Sequence, residues 1–304
     1  MKVLAIESSC DDTSFSIVSD EKSIDFIKTI NHRKFHKKHG GVIPEIAARQ
    51  HLDIMDYLQK SIKKLDFKKI DAIAATYGPG LIGGLIVGSS FAKGLSIGKQ
   101  KKLIPINHLQ AHLLSPRLTS SLSFPYLCLL VSGGNTALVL VKNPKKFITL
   151  GSTIDDSAGE CFDKVSKALG LGYPGGPIIE KLALKGDRYK YKLPLPLTKV
   201  KNCNFSFSGL KTAAIDIINK NKGNKKFIEN FCASFQYTVG EIFKKKIGNS
   251  LDVMHNDGIK FKDFSICGGV AANQYLNQLI RDFIIEKKIN FHQVPLSLCT
   301  DNAA

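Results

Sequence analysis

Two strand–turn–strand units constrain this chain more than any other feature. Val3-Leu4-Ala5-Ile6 is a short continuous apolar run, the mark of a buried strand. It enters the polar turn Glu7-Ser8-Ser9-Cys10-Asp11-Asp12-Thr13, and Phe15-Ser16-Ile17-Val18 resumes. The same shape returns 123 residues later, from Tyr126 against Val3. Tyr126-Leu127-Cys128-Leu129-Leu130-Val131 enters Ser132-Gly133-Gly134-Asn135-Thr136, and Ala137-Leu138-Val139-Leu140-Val141 follows. The repeat is one of shape, not of identity. It predicts a duplicated α/β chain divided near Phe124, with residues 1–123 in the first lobe and 124–304 in the second. A chain of 304 residues is long enough for about two cores.

The turns differ in chemistry. Adjacent carboxylates at Asp11 and Asp12 are costly unless a cation or hydrogen-bond donors meet them. Such a turn suits a phosphate or a metal; a plain hairpin is the simpler alternative. Gly133 and Gly134 permit close backbone approach to a ligand, and their N–H groups can line an anion site. A third turn, Gly268-Gly269-Val270-Ala271-Ala272-Asn273, lies between the strand Phe264–Cys267 and a helix expected over Gln274–Glu286. Strand, Gly-Gly turn and helix suit a nucleotide resting on a helix N-terminus.

His108 and His112 stand four apart after the N-cap residue Asn107, with Pro116 expected to end the helix. That spacing places both rings on one helix face, where they can grip one ion. Ordinary surface histidines are the alternative. Position 109 is Leu, so the general base of a zinc-peptidase H-E-x-x-H is missing. A third ligand must come from elsewhere, and Asp301 in Cys299-Thr300-Asp301-Asn302 is the best candidate.

The net charge is +17, which favours an anionic partner such as nucleic acid. Only five of the 43 basic residues are Arg, so an AT-rich coding sequence explains the excess of Lys equally well. The seven cysteines form no C-x-x-C pair and suit a reducing cytosol. Glu7 interrupts the N-terminal apolar run too early for a signal peptide. The uncharged stretch from Ala72 to Ala92 is broken by glycines and Pro79, so it reads as strand, turn and helix, not a membrane span. Asn31 to Gly41 is expected to be a solvated or RNA-facing basic loop rich in His. Pro44 to Ile62 is expected to be an amphipathic helix with apolar positions Ile46, Met55, Leu58 and Ile62. Gly84 and Gly88 permit close helix packing, either within the lobe or against a partner helix. Lys185 to Pro196 reads as an exposed connection.

Taken together, these segments resemble the universal tRNA adenosine threonylcarbamoyltransferase family, formerly named O-sialoglycoprotein endopeptidases, and its bacterial TsaD branch in particular. The resemblance covers nearly the whole chain. It rests on Glu7 to Thr13, Gly40 to Glu45, Tyr77 to Gly80, His108 with His112, and Val131 to Gly134. It continues through Gly159 to Lys164, Tyr173 to Pro177, Phe205 to Thr212, Gly268 to Asn273, and Thr300 to Asn302. The resemblance implies a duplicated actin, Hsp70 and sugar-kinase (ASKHA) architecture with mixed sheets. It implies a divalent metal, iron(II) or zinc, on His108, His112 and Asp301. A nucleotide-like substrate site would comprise Leu130, Val131, Ser132, Gly133, Gly134, Asp163, Gly176 and Asn273, with Asp11 as the essential acidic residue. The implied reaction moves a threonylcarbamoyl group from threonylcarbamoyl-AMP to the adenine 3′ of the anticodon in ANN-reading tRNAs. A paralogous TsaB-type subunit and a TsaE-type P-loop ATPase would be partners, in the cytoplasm, with no membrane.

Departures from the family pattern stand at Gln110, Ala111 and Asn135, where the family has Glu, Gly and His. Gln110 points away from the histidine face, so its change bears on tuning of the ligands and not on ligation. The family also continues past the position of Ala304 with a helical segment, and Asp301 is therefore expected to be loosely held and to bind metal weakly. Three rival functions remain: a phosphotransferase or ATPase of the same fold, a non-catalytic scaffold paralogue, and a metallopeptidase. The first needs no histidine pair here, the second predicts lost ligands, and the third lacks its base.

Overall fold

In the computed structural model, all residues are described except 21, 37–38, 63–65 and 222–223, together with the side chains of Leu58 and Ser61. The chain forms two compact units. The first comprises Met1–Thr119 with Thr300–Ala304, and the second Ser120–Cys299.

The first unit carries a five-stranded sheet in the order β3-β2-β1-β4-β5. The strands are β1 (Lys2–Glu7), β2 (Asp12–Ser19), β3 (Ile24–Asn31), β4 (Ala72–Gly78) and β5 (Lys102–Asn107). β1, β2 and β3 pair antiparallel, while β4 and β5 run parallel to β1. One helical turn, α1 (Arg33–His36), follows β3. α2 (Pro44–Ile62) and α3 (Ile82–Lys99) cover one face, and α4 (His108–Leu114) and α5 (Pro116–Thr119) follow β5. The core joins Leu4, Ile6, Phe15 and Ile17 to Met55, Ile62, Ile73 and Ala92. α4 ends at Leu114, just before Pro116 as expected; Pro116 then opens the separate α5, because a residue without an N–H is tolerated at the first position of a helix.

The second unit repeats the topology. Its sheet runs β10-β9-β6-β7-β8, built from β6 (Tyr126–Val131), β7 (Thr136–Asn143), β8 (Lys146–Ser152), β9 (Asp263–Cys267) and β10 (Asn290–Gln293). β6, β7 and β8 pair antiparallel, and β9 and β10 run parallel to β6. Shape alone predicted this duplication, and the two sheets share one connectivity. Its helices are α6 (Ala158–Ala168), α7 (Gly175–Ala183), α8 (Ser208–Lys220), α9 (Lys225–Asn256), α10 (Gln274–Glu286) and α11 (Leu296–Cys299). Phe205, Phe207 and Phe243 are fully buried and pack ring to ring. The ammonium of the fully buried Lys246 donates to the carbonyls of Leu197 and Asn202 and to the Asn202 side chain, which fastens that segment to α9. At least one Lys of the basic excess is therefore structural.

The boundary read at 123/124 gives the last five residues to the second lobe; in the structure they pack with the first unit. The Ser16 hydroxyl donates to the Ala303 carbonyl at 2.6 Å, and the Ala303 N–H donates to Ser14 Oγ at 3.1 Å. A parting of the chain in sequence is not a parting in contacts, because the hydroxyls of Ser14 and Ser16 on β2 bond the backbone of Ala303.

Candidate metal centre and nucleotide loops

In the first unit, Asn107 caps α4 by accepting the Gln110 N–H at 3.0 Å, as its residue type predicts. The cap starts the helix at His108, and His112 follows one turn later. Their rings meet edge to face, with centroids 4.6 Å apart. His112 Nε2 lies 3.1 Å and His108 Nε2 3.7 Å from Asp301 Oδ1. One ligand atom from each of the three residues falls within 4.8 Å of the others. Asp301 is not left loose, contrary to the expectation from its place in the sequence. Ala303, two residues on, is buried and bonded to β2 through both its backbone groups.

The donor set fits a metal. Two imidazole nitrogens and one carboxylate suit iron(II) or zinc. Glu7 Oε2 stands 3.2 Å from His108 Nδ1. A carboxylate there holds the proton on Nδ1 and leaves Nε2 bare on the ligand side. Glu7 is itself fixed, accepting the Ser9 N–H and the Thr76 hydroxyl. Burial lowers the pKa of His108, but the hydrogen bond and charge of Glu7 and the charge of Asp301 outweigh it, so the net shift is upward. Burial opposes the Asp301 charge, while the His112 hydrogen bond and both histidines hold the carboxyl below its ordinary range. Gln110 is exposed and faces away from the cluster, as the helix period requires.

Asp11 sits in the β1–β2 turn, partly exposed, and its carbonyl accepts the His32 N–H at 2.9 Å. Asp12 is buried, and among the described residues its Oδ1 has no hydrogen-bond partner. Burial, then the neighbouring charges of Asp11 and Asp301, raise its pKa to about 7 against the pull of Arg33.

In the second unit, the Ser132–Asn135 turn closes on itself: the Ser132 N–H donates to the Asn135 carbonyl and the Asn135 N–H to Ser132 Oγ. Gly133 and Gly134 are exposed, with open space where a side chain would begin. Leu130 and Val131 end the buried strand that feeds them. The turn is backed by two glycines. A Cβ on Gly159 would lie 2.5 Å from the Ser132 carbonyl oxygen, and one on Gly268 would lie 2.5 Å from that of Val131. Asp163 lies one turn beyond Gly159 on α6, and its Oδ1 accepts the Gly175 N–H at 2.7 Å, which seats Gly176 at the start of α7. Asn273 caps α10 through Leu276 N–H and donates to Gln236 Oε1 at 2.8 Å. These groups gather at the carboxyl ends of the parallel strands β6 and β9, where α/β sheets bind ligands.

Comparison with known proteins then decides the family. The sequence model described as TsaD: tRNA N6-adenosine threonylcarbamoyltransferase matches residues 26–304. The tRNA N6-adenosine threonylcarbamoyltransferase of Wolbachia sp. subsp. Brugia malayi (strain TRS) is 46% identical over 99% of this chain and 90% of its own length. That of Rickettsia rickettsii (strain Sheila Smith) is 47% identical over 100% of this chain and 90% of its own. The chain belongs to the tRNA N6-adenosine threonylcarbamoyltransferase family.

Solved structures agree on the architecture. HypF from T. kodakarensis matches with a TM-score of 0.66 at 13% identity, covering 99% of this chain and 46% of that one. The activator of 2-hydroxyisocaproyl-CoA dehydratase from Clostridium difficile matches with 0.55 at 12%, covering 97% and 90%. The fold is the duplicated ASKHA architecture. Glu7, Ser9 and Thr76 are the groups that reading the residues one by one missed: they hold the candidate cluster through Glu7 and Ser9 on His108 and Thr76 on Glu7. Their only sequence signal is position, at the ends of two neighbouring buried strands.

Of the two alternatives for Gly84 and Gly88, packing within the lobe holds, and one further expectation fails. A Cβ on Gly88 would lie 2.0 Å from Ser8 Oγ, and one on Gly84 2.3 Å from the Ser8 carbonyl oxygen, so both press α3 onto the acidic turn. The His-rich segment is not an open loop. His32 and His36 are fully buried around the single turn of α1. A one-turn helix gives too short a pattern for periodicity to reveal which side chains turn inward. Lys37 and Lys38 of that segment lie outside the described residues.

Proposed function

We propose that this chain carries out its family's reaction as a metal-dependent transferase: it moves a threonylcarbamoyl group from threonylcarbamoyl-AMP to N6 of the adenine 3′ of the anticodon in ANN-reading tRNAs. The observation that carries metal dependence is the convergence of His108, His112 and Asp301, backed by Glu7 on the His108 Nδ1 side. These three residues would hold the ion. An iron(II) or zinc ion held by them would supply Lewis-acid polarisation and orientation of the acyl group.

The chain's own groups do the rest. Backbone N–H groups of Gly133 and Gly134 take the phosphate oxygens, since no side chain hinders approach. Leu130, Val131 and Ser132 set the level of that turn, Asp163 fixes Gly176, and Asn273 fixes the start of α10. The adenine N6 attacks the carbamoyl carbon. A C–N bond forms, the C–O bond to phosphate breaks, and AMP leaves with the electron pair. Asp11 positions the amine or accepts its proton. The departures at Ala111 and Asn135 leave every proposed ligand in place.

A cytoplasmic location, a paralogous TsaB-type subunit and a TsaE-type P-loop ATPase complete the proposal. Among the described residues, no helix is long and apolar enough to cross a membrane. Leu52 of α2 and Ile82 and Ile86 of α3 are exposed and offer the subunit an apolar face in place of Gly84 and Gly88. The test is nucleoside mass analysis of tRNA incubated with this protein, its partners, threonine, bicarbonate and ATP. A threonylcarbamoyl mass shift on adenosine that disappears with a chelator is expected. A shift that survives complete metal removal would refute metal dependence, and no shift in the full mixture would refute the function.

A further inference from the structure

His51 has no part in the metal cluster or the nucleotide loops, yet it is fully buried and both its ring nitrogens are used. It stands on α2 in register with Ala47 and Met55, on the apolar face of the helix. Its Nε2 lies 3.1 Å from the Cys10 carbonyl oxygen, and its Nδ1 lies 2.7 Å from Thr13 Oγ. Cys10 and Thr13 are the residues on either side of Asp11-Asp12.

The partners fix the protons. A carbonyl only accepts, so Nε2 carries the hydrogen and Nδ1 is bare. The Thr13 hydroxyl therefore donates to His51 Nδ1. Its oxygen accepts from His32 Nε2, 2.9 Å away. The two rings touch edge to face at 4.7 Å. His32 also holds the turn by its backbone, donating its N–H to the Asp11 carbonyl. Burial lowers the pKa of both rings, which keeps them neutral and preserves these directions. The ring has space because α3 carries Gly84 opposite it: a Cβ there would lie 2.8 Å from His51 Nε2.

From this geometry we infer that His51 is a positioning residue for the transfer step: one tautomer-locked imidazole, backed by Thr13 and His32, clamps both flanks of the turn that presents Asp11. The inference rests on the role proposed for Asp11 and extends it to residues remote from the substrate. A group that sets the angle of a reacting carboxylate affects turnover more than binding.

The test compares His51→Leu, which removes both bonds, with His51→Gln, whose amide can donate at one end and accept at the other. In the complete tRNA-modifying mixture, His51→Leu should lose about 10- to 100-fold in kcat. KM for tRNA and metal content should stay unchanged, and His51→Gln should recover most of the rate. Thr13→Val against Thr13→Ser repeats the contrast and carries the test if His51→Leu fails to fold. Nitrogen-15 histidine spectra of the unmodified protein supply a readout independent of activity: the His51 and His32 rings should both show a protonated Nε2 and bare Nδ1 at pH 7–8, and the His51 Nδ1 signal should shift in Thr13→Val. Equal losses in the conservative and the disruptive variants, or the opposite tautomer, would overturn the proposal. A wild-type protein with no transfer activity would instead refute the function, leaving the spectra to decide the clamp.

Discussion

The two polar turns occupy the same place in the same topology, after β1 in one unit and after β6 in the other, and they are built oppositely. The first is crowded with ionisable groups. Glu7 and Asp12 are buried beside it, His108 and His51 bond to it, and Gly84 and Gly88 press α3 onto its Ser8. The second holds no ionisable side chain and presents the open glycines Gly133 and Gly134. Its supports are hydroxyls: Ser157 Oγ donates to the Gly133 carbonyl, and Thr136 Oγ accepts the Ala158 N–H. One scaffold thus yields a turn lined by ionisable groups beside a candidate cation site, and another that leaves two glycines open. The difference lies in the four or five residues of each turn, and the sheet beneath needs no change.

The largest expected effect removes the cationic side of this contrast. His108→Ala or His112→Ala should abolish stoichiometric metal and reduce transfer by about three orders of magnitude, with nucleotide binding retained. Elemental analysis and single-turnover assays check it; full metal occupancy in both variants would break the assignment.

Gly159→Val attacks the other turn. A side chain on α6 must push the Ser132 carbonyl, from which an added Cβ would lie only 2.5 Å away. Overpacking of this kind costs about 1–3 kcal/mol, which predicts roughly a 10- to 100-fold rise in KM for threonylcarbamoyl-AMP. Metal content should not change. Calorimetric binding of a non-reactive analogue separates the two effects.

Acid should loosen the first turn and spare the second. Burial, then the neighbouring His51 and His36, lower the His32 pKa to about 3. Its unfolded value is about 6.5. The unfolded chain therefore binds more protons between these values, so stability falls as pH drops from about 6.5 towards 3, by up to about 1.4 kcal/mol per pH unit for this one group. His32→Asn should flatten that slope in urea titrations at pH 7 and pH 5. Amide exchange should rise at Ser9 to Thr13 before it rises at Gly133 and Gly134; simultaneous rise would mean the turns are not independent.

The smallest effect concerns tRNA. Lys34 on α1 is exposed and stands over the Phe35 ring at 4.9 Å. If it meets a phosphate, Lys34→Gln should flatten the slope of log affinity against log salt by about 0.7–0.9. An unchanged slope would assign this charge to composition alone.

Much of the architecture was legible because β-strands buried on both faces leave continuous apolar runs. β1, β4 and β6 carry such runs, while β9 is buried throughout although Asp263 and Ser265 interrupt its apolar residues; the turns after β1, β6 and β9 announced themselves by charge or by glycine. Helices α2 and α10 also fall where periodicity and capping put them, at Pro44–Ile62 and Gln274–Glu286. The histidine pair was legible because four-residue spacing on a helix is a local rule. Asp301 was named from the resemblance and from its residue type. Nothing local says that it is held, since the bonds of Ala303 to Ser14 and Ser16 span nearly the whole sequence.

The sequence by itself therefore determined the duplicated strands, the two kinds of turn, the cap that starts α4 and the family to which they point, because each depends on neighbours within a few residues. Tertiary structure decided the rest. It put Glu7 behind His108, filled the space beside Gly84 with His51, turned His32 and His36 inward, and tied Thr300–Ala304 to the first unit. Those are contacts between distant elements, set by how sheets and helices close over a core, and no local pattern of residue types records them.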